Sequence, residues 1–210
     1  MIRVVLADDH ALVREGLKRI LEENADLHVV AEVGTGDEVM RALSESPADV
    51  VVLDISMPGP GVFSVLERIK AEHPKARCVV LTMYAESQYA VRVLHAGAAG
   101  FLSKEQSADF LVEAIRKAHS GGVYVSPSLV ELLATKMPGQ QAGEPHEALS
   151  DRELEVLVRI GGGQSLKAIA ADLSLSPKTV STYHSRIRQK LGLRSDAELT
   201  RYVLDHHLTL

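Results

Sequence analysis

The first 120 residues alternate between short apolar runs and segments in which apolar residues recur every three or four positions. The apolar runs lie at residues 2–7, 28–33, 50–53, 77–81 and 100–102. The segments between them have the spacing of amphipathic helices. Strands that alternate with helices predict βαβ units and a parallel sheet with helices on both faces. Nearly continuous apolar runs are typical of strands buried on both faces. We therefore predict a five-stranded, doubly wound parallel α/β domain.

From residue 149 onwards the apolar spacing is helical. Capping boxes, in which a serine precedes a glutamate by three residues, predict helix starts at Ser150 and Ser195. A short helical segment, 166–173, is followed by a turn and by Pro177, which suits the first turn of the next helix. This part of the chain is therefore predicted to be a small all-α domain.

A linker is predicted between the two patterns. Residues 137–148, MPGQQAGEPHEA, contain two prolines and two glycines and have little periodicity. We divide the chain into an α/β domain at 1–120, a connecting segment and linker at 121–148, and a helical domain at 149–210.

Charge is distributed unevenly along the chain, whose formal net charge is −5. Residues 1–145 carry 20 acids and 14 lysines and arginines, whereas residues 146–210 carry 8 acids and 9 lysines and arginines. Within the helical domain, residues 173–195 contain five lysines and arginines and no acid. This local basic patch indicates a polyanionic partner such as nucleic acid.

Several classes of protein do not fit the composition. No run approaches the roughly 18 apolar residues of a membrane span, so membrane insertion is not expected. The N-terminus, MIRVVLADDH, has two acids where a secretory signal would continue its apolar core. The lone Cys78 cannot form an intramolecular disulfide and has no partners at zinc-ligand spacing. We expect a cytoplasmic protein.

Polar residues follow several of the predicted strands. Asp8 and Asp9 come after the first strand, Asp54 after the third, Thr82 after the fourth and Lys104 after the fifth. In a parallel sheet the carboxyl ends of the strands lie on one edge, where ligands bind, so these groups should converge. The alternative, that each acid only marks a strand reaching the surface, would make this set a coincidence.

This set of groups suits phosphoryl chemistry. Three crowded carboxylates need a cation, and oxygen ligands suit Mg²⁺. An aspartate can act as the nucleophile towards phosphorus, with a lysine and a hydroxyl donating to the phosphoryl oxygens. Asp54 is the central candidate because its strand lies between the acidic pair and Thr82.

The basic segment of the helical domain has the pattern of a helix-turn-helix. On the helix that starts at Pro177, Val180, Ile187 and Leu191 share one face. Polar side chains on the other face would enter the major groove of double-stranded DNA. We predict that Lys178, Ser181, Thr182 and Ser185 face base edges and that Lys167, Arg186 and Arg188 meet phosphates, with Thr179 as a further member of the DNA-binding set. The alternative is a helical bundle whose basic face is only solvated.

The motifs ADDH, LDISMPG and AGAAGFLSK, with Thr82 at a strand end, resemble the receiver domain of two-component response regulators over residues 1 to about 120. The resemblance implies a flavodoxin-like fold with Asp54 as the phosphoacceptor. It also implies that Mg²⁺ is bound by Asp8, Asp9, Asp54 and the backbone carbonyl of Ser56. Lys104 would hold the phosphoryl group, and Thr82 and Phe101 would form the switch.

The segments LSDRELEVL and IAADLSLSPKTVSTYHSRIRQKLGL are similar to the LuxR-type DNA-binding domain. A receiver followed by this domain is typical of response regulators of the NarL/FixJ class. The resemblance implies a sensor histidine kinase or small phosphodonor as the source of phosphate and an operator with paired half-sites. It further implies a homodimer when phosphorylated or bound to DNA. Catalysis would be limited to self-phosphorylation from phosphodonors and slow autodephosphorylation.

Two other functions remain open at this point. One is a DNA-binding regulator whose receiver acts independently of phosphorylation, against which the intact set of acids, threonine and lysine argues. The other is a phosphotransferase with Asp54 as nucleophile, but Ser56 stands where such an enzyme would carry its second acid.

Overall fold

The computed structural model describes residues 1–83, 86–104, 108–127, 129–131, 144–173, 175–206 and 208. The chain divides into two compact units, Met1–Thr135 and Lys136–Leu210. Residues 137–143 of the predicted linker lie outside the described residues. In the described part of the chain, no helix has both the length and the apolar character required to cross a bilayer.

The first unit is built on a parallel sheet of five strands in the order β2-β1-β3-β4-β5. The strands are β1 (Ile2–Ala7), β2 (Leu27–Val33), β3 (Val50–Asp54), β4 (Arg77–Thr82) and β5 (Gly100–Ser103). Each predicted strand is confirmed, with its ends correct to within one residue. The order reverses between β1 and β3, which opens a crevice at the carboxyl ends of these two strands.

Helices cover both faces of this sheet, as predicted. They are α1 (Ala11–Glu22), α2 (Gly36–Glu45), α3 (Val62–Glu72), α4 (Glu86–His95) and α5 (Ala108–His119). Helices α1 and α5 contact each other, and their Leu21, Leu111 and Ile115 join the core formed by one face of the strands. Helices α2 and α3 contact each other as well. Burial of the strands fixes the sheet and with it the edge that carries the polar residues.

The chain after α5 returns to the first unit. The backbone N–H of Tyr124 donates to the carbonyl of Ala99 at 2.7 Å, and Tyr124 pairs with Gly100 in an isolated parallel bridge. Ser126 and Leu129 are buried. Residues 121–148 were predicted to be a connecting segment and linker. These contacts show that the first residues of that segment pack on the first unit.

The second unit consists of a short 3-10 helix at Pro145–Ala148 and the helices α6 (Asp151–Gly161), α7 (Leu166–Asp172), α8 (Pro177–Leu191) and α9 (Asp196–Asp205). The 3-10 helix occupies the last residues of the predicted linker. Ser150 and Glu153 form the complete capping box predicted from the sequence. At α9, Ser195 accepts from the N–H of Glu198, but the Glu198 carboxylate accepts from the N–H of Arg194 instead of Ser195.

Candidate functional site

Four of the predicted site residues lie at the carboxyl edge of the sheet. Asp8 directly follows β1, Asp54 ends β3, Thr82 ends β4 and Lys104 directly follows β5. Asp8 and Asp54 are only 2% and 3% exposed, and Thr82 is fully buried. Carboxylates are rarely buried unless they are paired, so this edge is built for something other than packing.

Lys104 links the two buried carboxylates. Its Nζ lies 2.6 Å from Asp8 Oδ2 and donates to Asp54 Oδ2 at 2.9 Å. The backbone N–H of Lys104 also donates to the carbonyl of Thr82 at 2.7 Å, which fixes where its side chain begins. The ammonium therefore stands between the carboxylates of two strands that are adjacent in the sheet.

Burial and charge act in opposite directions on these groups. Burial raises the pKa of Asp54, the neighbouring Asp8 carboxylate adds to this effect, and Lys104 and the N–H of Ser56 partly counter it. Burial alone would lower the pKa of Lys104, but its hydrogen bonds and ion pairs with Asp8 and Asp54 raise it overall. Lys104 is therefore a cation at neutral pH, and ionisation of Asp54 is costly because it places a negative charge in a buried site.

The acidic pocket has the composition of a divalent-cation site. Asp8, Asp9, His10 and Asp54 each offer one potential ligand atom, and these four atoms all lie within 4.8 Å of one another. Among the described residues, the buried Oδ1 of Asp54 has no hydrogen-bond partner. A buried carboxylate oxygen without a partner is costly, and a bound cation would remove that cost.

Thr82 and Phe101 lie on neighbouring strands of the same sheet. Thr82 stands opposite Ser103, and Phe101 precedes Ser103 by two residues on β5. Because side chains alternate between faces along a strand, Thr82 and Phe101 point to the same face of the sheet. Phe101 is fully buried. Ser56 is two residues beyond Asp54 in the loop after β3 and is half-buried.

Two residues that contact Asp8 were not predicted from the sequence. The guanidinium of Arg14, on α1, donates through Nη1 to the backbone carbonyl of Asp8. The backbone N–H of His10 donates to Asp8 Oδ1 at 2.8 Å. Both contacts hold the loop between β1 and α1. The sequence ADDH placed His10 beside the acids, but its spacing gave no sign that Arg14 folds back onto the loop.

We expect Asp54→Asn to stabilise the first unit at neutral pH in metal-free buffer. The raised pKa means that the folded chain keeps the Asp54 proton to higher pH than the unfolded chain, so the free energy of unfolding falls as pH rises above the ordinary value of 3.8. The amide removes this cost, about 1.4 kcal/mol for each unit of raised pKa. Lys104 keeps Asp8 as its partner.

Urea unfolding of both proteins from about pH 4 to about pH 8 measures this difference. The variant should gain on the wild type as pH rises, until Asp54 is fully ionised in the folded chain. Glu67→Gln, which neutralises an exposed carboxylate on α3, should follow the wild type at every pH. If Asp54→Asn is no more stable than the wild type at neutral pH, burial of the Asp54 charge costs nothing.

The predicted helix-turn-helix corresponds to α7 and α8. Ser176 accepts from the N–H of Thr179 at 3.1 Å and so caps the start of α8, with Pro177 in the first turn. Val180 and Ile187 are fully buried, and α8 contacts both α6 and α7. Gly192 ends α8 with a positive φ of 69°, a conformation that glycine adopts without strain.

The polar face of α8 is open to solvent. The exposed members of the predicted set are Lys178, Ser181, Thr182, Ser185 and Arg186, together with Lys167 on α7. Two hydroxyls of this set already have partners: Thr182 Oγ1 donates to the carbonyl of Lys178 at 2.9 Å, and Thr179 Oγ1 lies 2.8 Å from Ser176 Oγ. Lys178, Ser181, Ser185 and Arg186 are thus exposed side chains on this face that a ligand could contact.

Two cations of the basic patch hold the domain together. Lys190 Nζ lies 2.6 Å from Glu153 Oε2 and donates to the carbonyl of Ala148 at 3.2 Å. Arg188 donates to the carbonyl of Arg194. The patch is therefore less available to a polyanion than its sequence charge indicates.

Comparison with known proteins gives matches to both units. The family model for the response regulator receiver domain matches residues 4–116, and the model for bacterial regulatory proteins of the luxR family matches residues 147–203. The chain is 38% identical over 206 residues to the response regulator GacA of Pseudomonas protegens, which covers 98% of this chain and 97% of GacA.

Solved structures similar to the whole chain include DNA complexes. RcsB from Salmonella enterica serovar Typhimurium, bound to the promoter rprA in the presence of the phosphomimetic BeF3−, has a TM-score of 0.74 and 29% identity, covering 96% of this chain and 97% of that one. A structure of two RcsB dimers bound to two parallel DNAs has a TM-score of 0.60 and 28% identity, with coverage of 96% and 97%.

Proposed function

This chain belongs to the two-component response regulators of the NarL/FixJ class, and from that premise we propose that Asp54 is its phosphoacceptor. As a member of that class it is a phosphorylation-controlled, DNA-binding transcription regulator and not a classical enzyme. Its partners are a sensor histidine kinase and double-stranded DNA.

The observation that carries the assignment is the buried Asp54 carboxylate, held by Lys104 and placed beside Asp8. An Asp54 oxygen attacks the phosphorus of the phosphodonor, and the bond from phosphorus to the leaving group breaks as the acyl phosphate forms. The leaving group keeps the bonding electron pair and takes up a proton. Lys104 Nζ, which is 2.9 Å from Asp54 Oδ2, then donates to the phosphoryl oxygens.

The acidic pocket is proposed to hold Mg²⁺ through Asp8, Asp9 and Asp54 and through the backbone carbonyl of Ser56. Among the described residues, the carboxylates of Asp8, Asp9 and Asp54 are grouped with one ammonium, that of Lys104, which contacts Asp8 and Asp54. The pocket therefore carries a surplus of negative charge that repels an anionic phosphodonor. When bound, the metal ion supplies positive charge at the transferring phosphoryl group. The buried Asp54 Oδ1, which has no partner among the described residues, supports this assignment.

We propose only two catalytic steps for the chain itself, namely self-phosphorylation from small phosphodonors and slow hydrolysis of the acyl phosphate. Ser56 stands where a phosphotransferase would carry a second acid, so no side chain at that position can protonate a leaving group or deprotonate water efficiently. The phosphorylated state should therefore persist long enough to act as a signal.

The experiment that tests the assignment is peptide mass spectrometry after incubation with Mg²⁺ and a small phosphodonor. The phosphoryl group should be found on Asp54, and Asp54→Asn should remain unlabelled. Labelling of the variant to the wild-type level would show that another residue is the nucleophile, and an unlabelled wild type would favour a phosphorylation-independent receiver.

For DNA, we propose that α8 lies in the major groove. Lys178, Ser181, Thr182 and Ser185 face base edges, with Thr179 beside them. Lys167 and Arg186 meet phosphates, as does Arg188, whose guanidinium has further N–H groups besides the one that donates to the carbonyl of Arg194. The exposure of Lys178, Ser181, Ser185 and Arg186 supports this arrangement. A dimer would read two half-sites about one DNA turn, roughly 10 base pairs, apart. We also place the protein in the cytoplasm, where its DNA lies.

Arg186→Gln should weaken binding to all DNA sequences alike and reduce the slope of log affinity against log salt by about one unit, because one phosphate contact is lost. Ser185→Ala should instead relax specificity at one base pair and leave the slope unchanged. Quantitative footprinting at several salt concentrations separates the two effects.

Lys190→Met is the matched control for the loss of a cation from the same helix. Because Lys190 is paired with Glu153, this variant should lose thermal stability and keep the wild-type salt slope. Equal changes of slope in Arg186→Gln and Lys190→Met would contradict the proposed division of the basic patch.

A further inference from the structure

The side chain of His10 points at the acidic pocket. Its Nδ1 lies 2.9 Å from Asp9 Oδ1 and 3.4 Å from Asp8 Oδ1. The side chain is 65% exposed, so core packing does not impose this orientation. His10 is the N-cap residue of α1, yet its side chain makes no capping hydrogen bond. The imidazole is therefore free of any helix-capping task and is directed towards the carboxylates.

These distances match those between ligands of one metal ion. Ligands at about 2.1 Å in an octahedron are about 3.0 Å apart when they occupy neighbouring positions. The two distances from Nδ1 to carboxylate oxygens lie close to that value. One ring nitrogen of His10 is also among the ligand atoms that lie within 4.8 Å of one another around the pocket. The main chain supports the arrangement, since the N–H of His10 donates to Asp8 Oδ1.

We infer that His10 supplies a nitrogen ligand to the divalent-cation site of Asp8, Asp9 and Asp54. The inference rests on the proposed function, because it requires that the acidic pocket binds a metal ion. A nitrogen donor changes which ions the pocket prefers. Mg²⁺ favours oxygen ligands, whereas imidazole favours later first-row ions such as Co²⁺ and Ni²⁺. His10 is thus a residue that determines metal specificity.

The test is a pair of titrations of the full chain, with Co²⁺ and with Mg²⁺, on the wild type and on His10→Asn. Only Co²⁺ that Mg²⁺ displaces is counted, which excludes Co²⁺ bound to histidines elsewhere in the chain. The variant should bind Co²⁺ about 10-fold more weakly than the wild type and bind Mg²⁺ with an affinity changed by less than about 2-fold. With Mn²⁺ bound, pulsed electron paramagnetic resonance should show coupling to an imidazole nitrogen in the wild type that is absent from the variant.

His28→Asn is the matched control. It removes an exposed imidazole near the amino end of β2, where His28 pairs with Arg3 of β1. This end of the sheet is opposite to the edge that carries the acidic pocket. This variant should behave like the wild type in every titration.

The possible outcomes separate the inference from the proposed function. If the wild type binds neither Mg²⁺ nor displaceable Co²⁺, the metal site itself is absent and both proposals are overturned. If Mg²⁺ binds normally but His10→Asn leaves both the ratio of Co²⁺ to Mg²⁺ affinity and the nitrogen coupling unchanged, only the role of His10 is overturned.

Discussion

The double substitution Asp8→Ala and Asp9→Ala is expected to slow phosphorylation of Asp54 by about 100-fold or more. A metal ion at a transferring phosphoryl group contributes several kcal/mol to stabilising the transition state, and 1.4 kcal/mol corresponds to about a tenfold change in rate. Without Asp8 and Asp9 the pocket keeps only one of the three carboxylates proposed to hold that ion. Lys104 still has Asp54 as its ion-pair partner, so the substitution leaves no unpaired buried ammonium.

Rates are measured by intact mass at timed intervals after addition of a small phosphodonor, over a series of Mg²⁺ concentrations. The double variant should be slow at every concentration, whereas the wild-type rate should rise with Mg²⁺ to a plateau. The control is Glu22→Ala and Glu23→Ala, which removes an exposed acidic pair at the end of α1. If the Asp8 and Asp9 double variant is phosphorylated at the wild-type rate, these two residues do not bind a metal ion that phosphorylation requires.

Thr82→Ala is expected to leave phosphorylation of Asp54 intact but to reduce the gain in operator affinity that phosphorylation gives by about tenfold, a typical allosteric coupling. A phosphoryl group at the sheet edge can reach a distant surface only through an element with two states. Thr82 is buried at that edge, and its carbonyl accepts the backbone hydrogen bond of Lys104. Its hydroxyl would move to the phosphoryl oxygens, and Phe101, on the same face of the sheet, would occupy the space left behind.

The measurements are sedimentation and operator binding, with and without a phosphodonor. Thr82→Ser, which keeps the hydroxyl, should retain most of the wild-type response and so distinguishes loss of the hydroxyl from loss of packing. The coupling route through Thr82 is wrong if the alanine variant dimerises and binds the operator after phosphorylation as well as the wild type does.

Much of the fold and the broad site followed from the sequence because burial imposes a simple pattern. Strands covered on both faces are largely apolar, so a polar residue at the carboxyl end of such a strand stands out, as Asp54 does at the end of β3. A parallel sheet then brings those residues to one edge whatever their separation in sequence. Asp8 and Lys104 are 96 residues apart in the chain, yet Lys104 Nζ lies 2.6 Å from Asp8 Oδ2 in the structure.

The rest depended on contacts that have no characteristic spacing. Arg14 reaches back from α1 to the carbonyl of Asp8, and Lys190 crosses from α8 to Glu153. A long side chain can reach many partners, and its partner cannot be identified from the sequence. Counting charges therefore placed Lys190 in the basic patch that was expected to bind DNA. Tyr124 joins the edge of β5 through its backbone hydrogen bond to Ala99 and its isolated bridge to Gly100, an extension too short to produce a strand pattern in the sequence.

Control of DNA binding by phosphorylation of Asp54 can be measured in a single titration. A single preparation is phosphorylated to increasing extents in the presence of Mg²⁺, and the fraction modified at Asp54 and the operator affinity are determined on the same samples. Operator affinity should rise in step with that fraction in the wild type and stay constant in Asp54→Asn under the same treatment. An operator affinity that is independent of the modified fraction, or that rises equally in Asp54→Asn, would contradict this expectation.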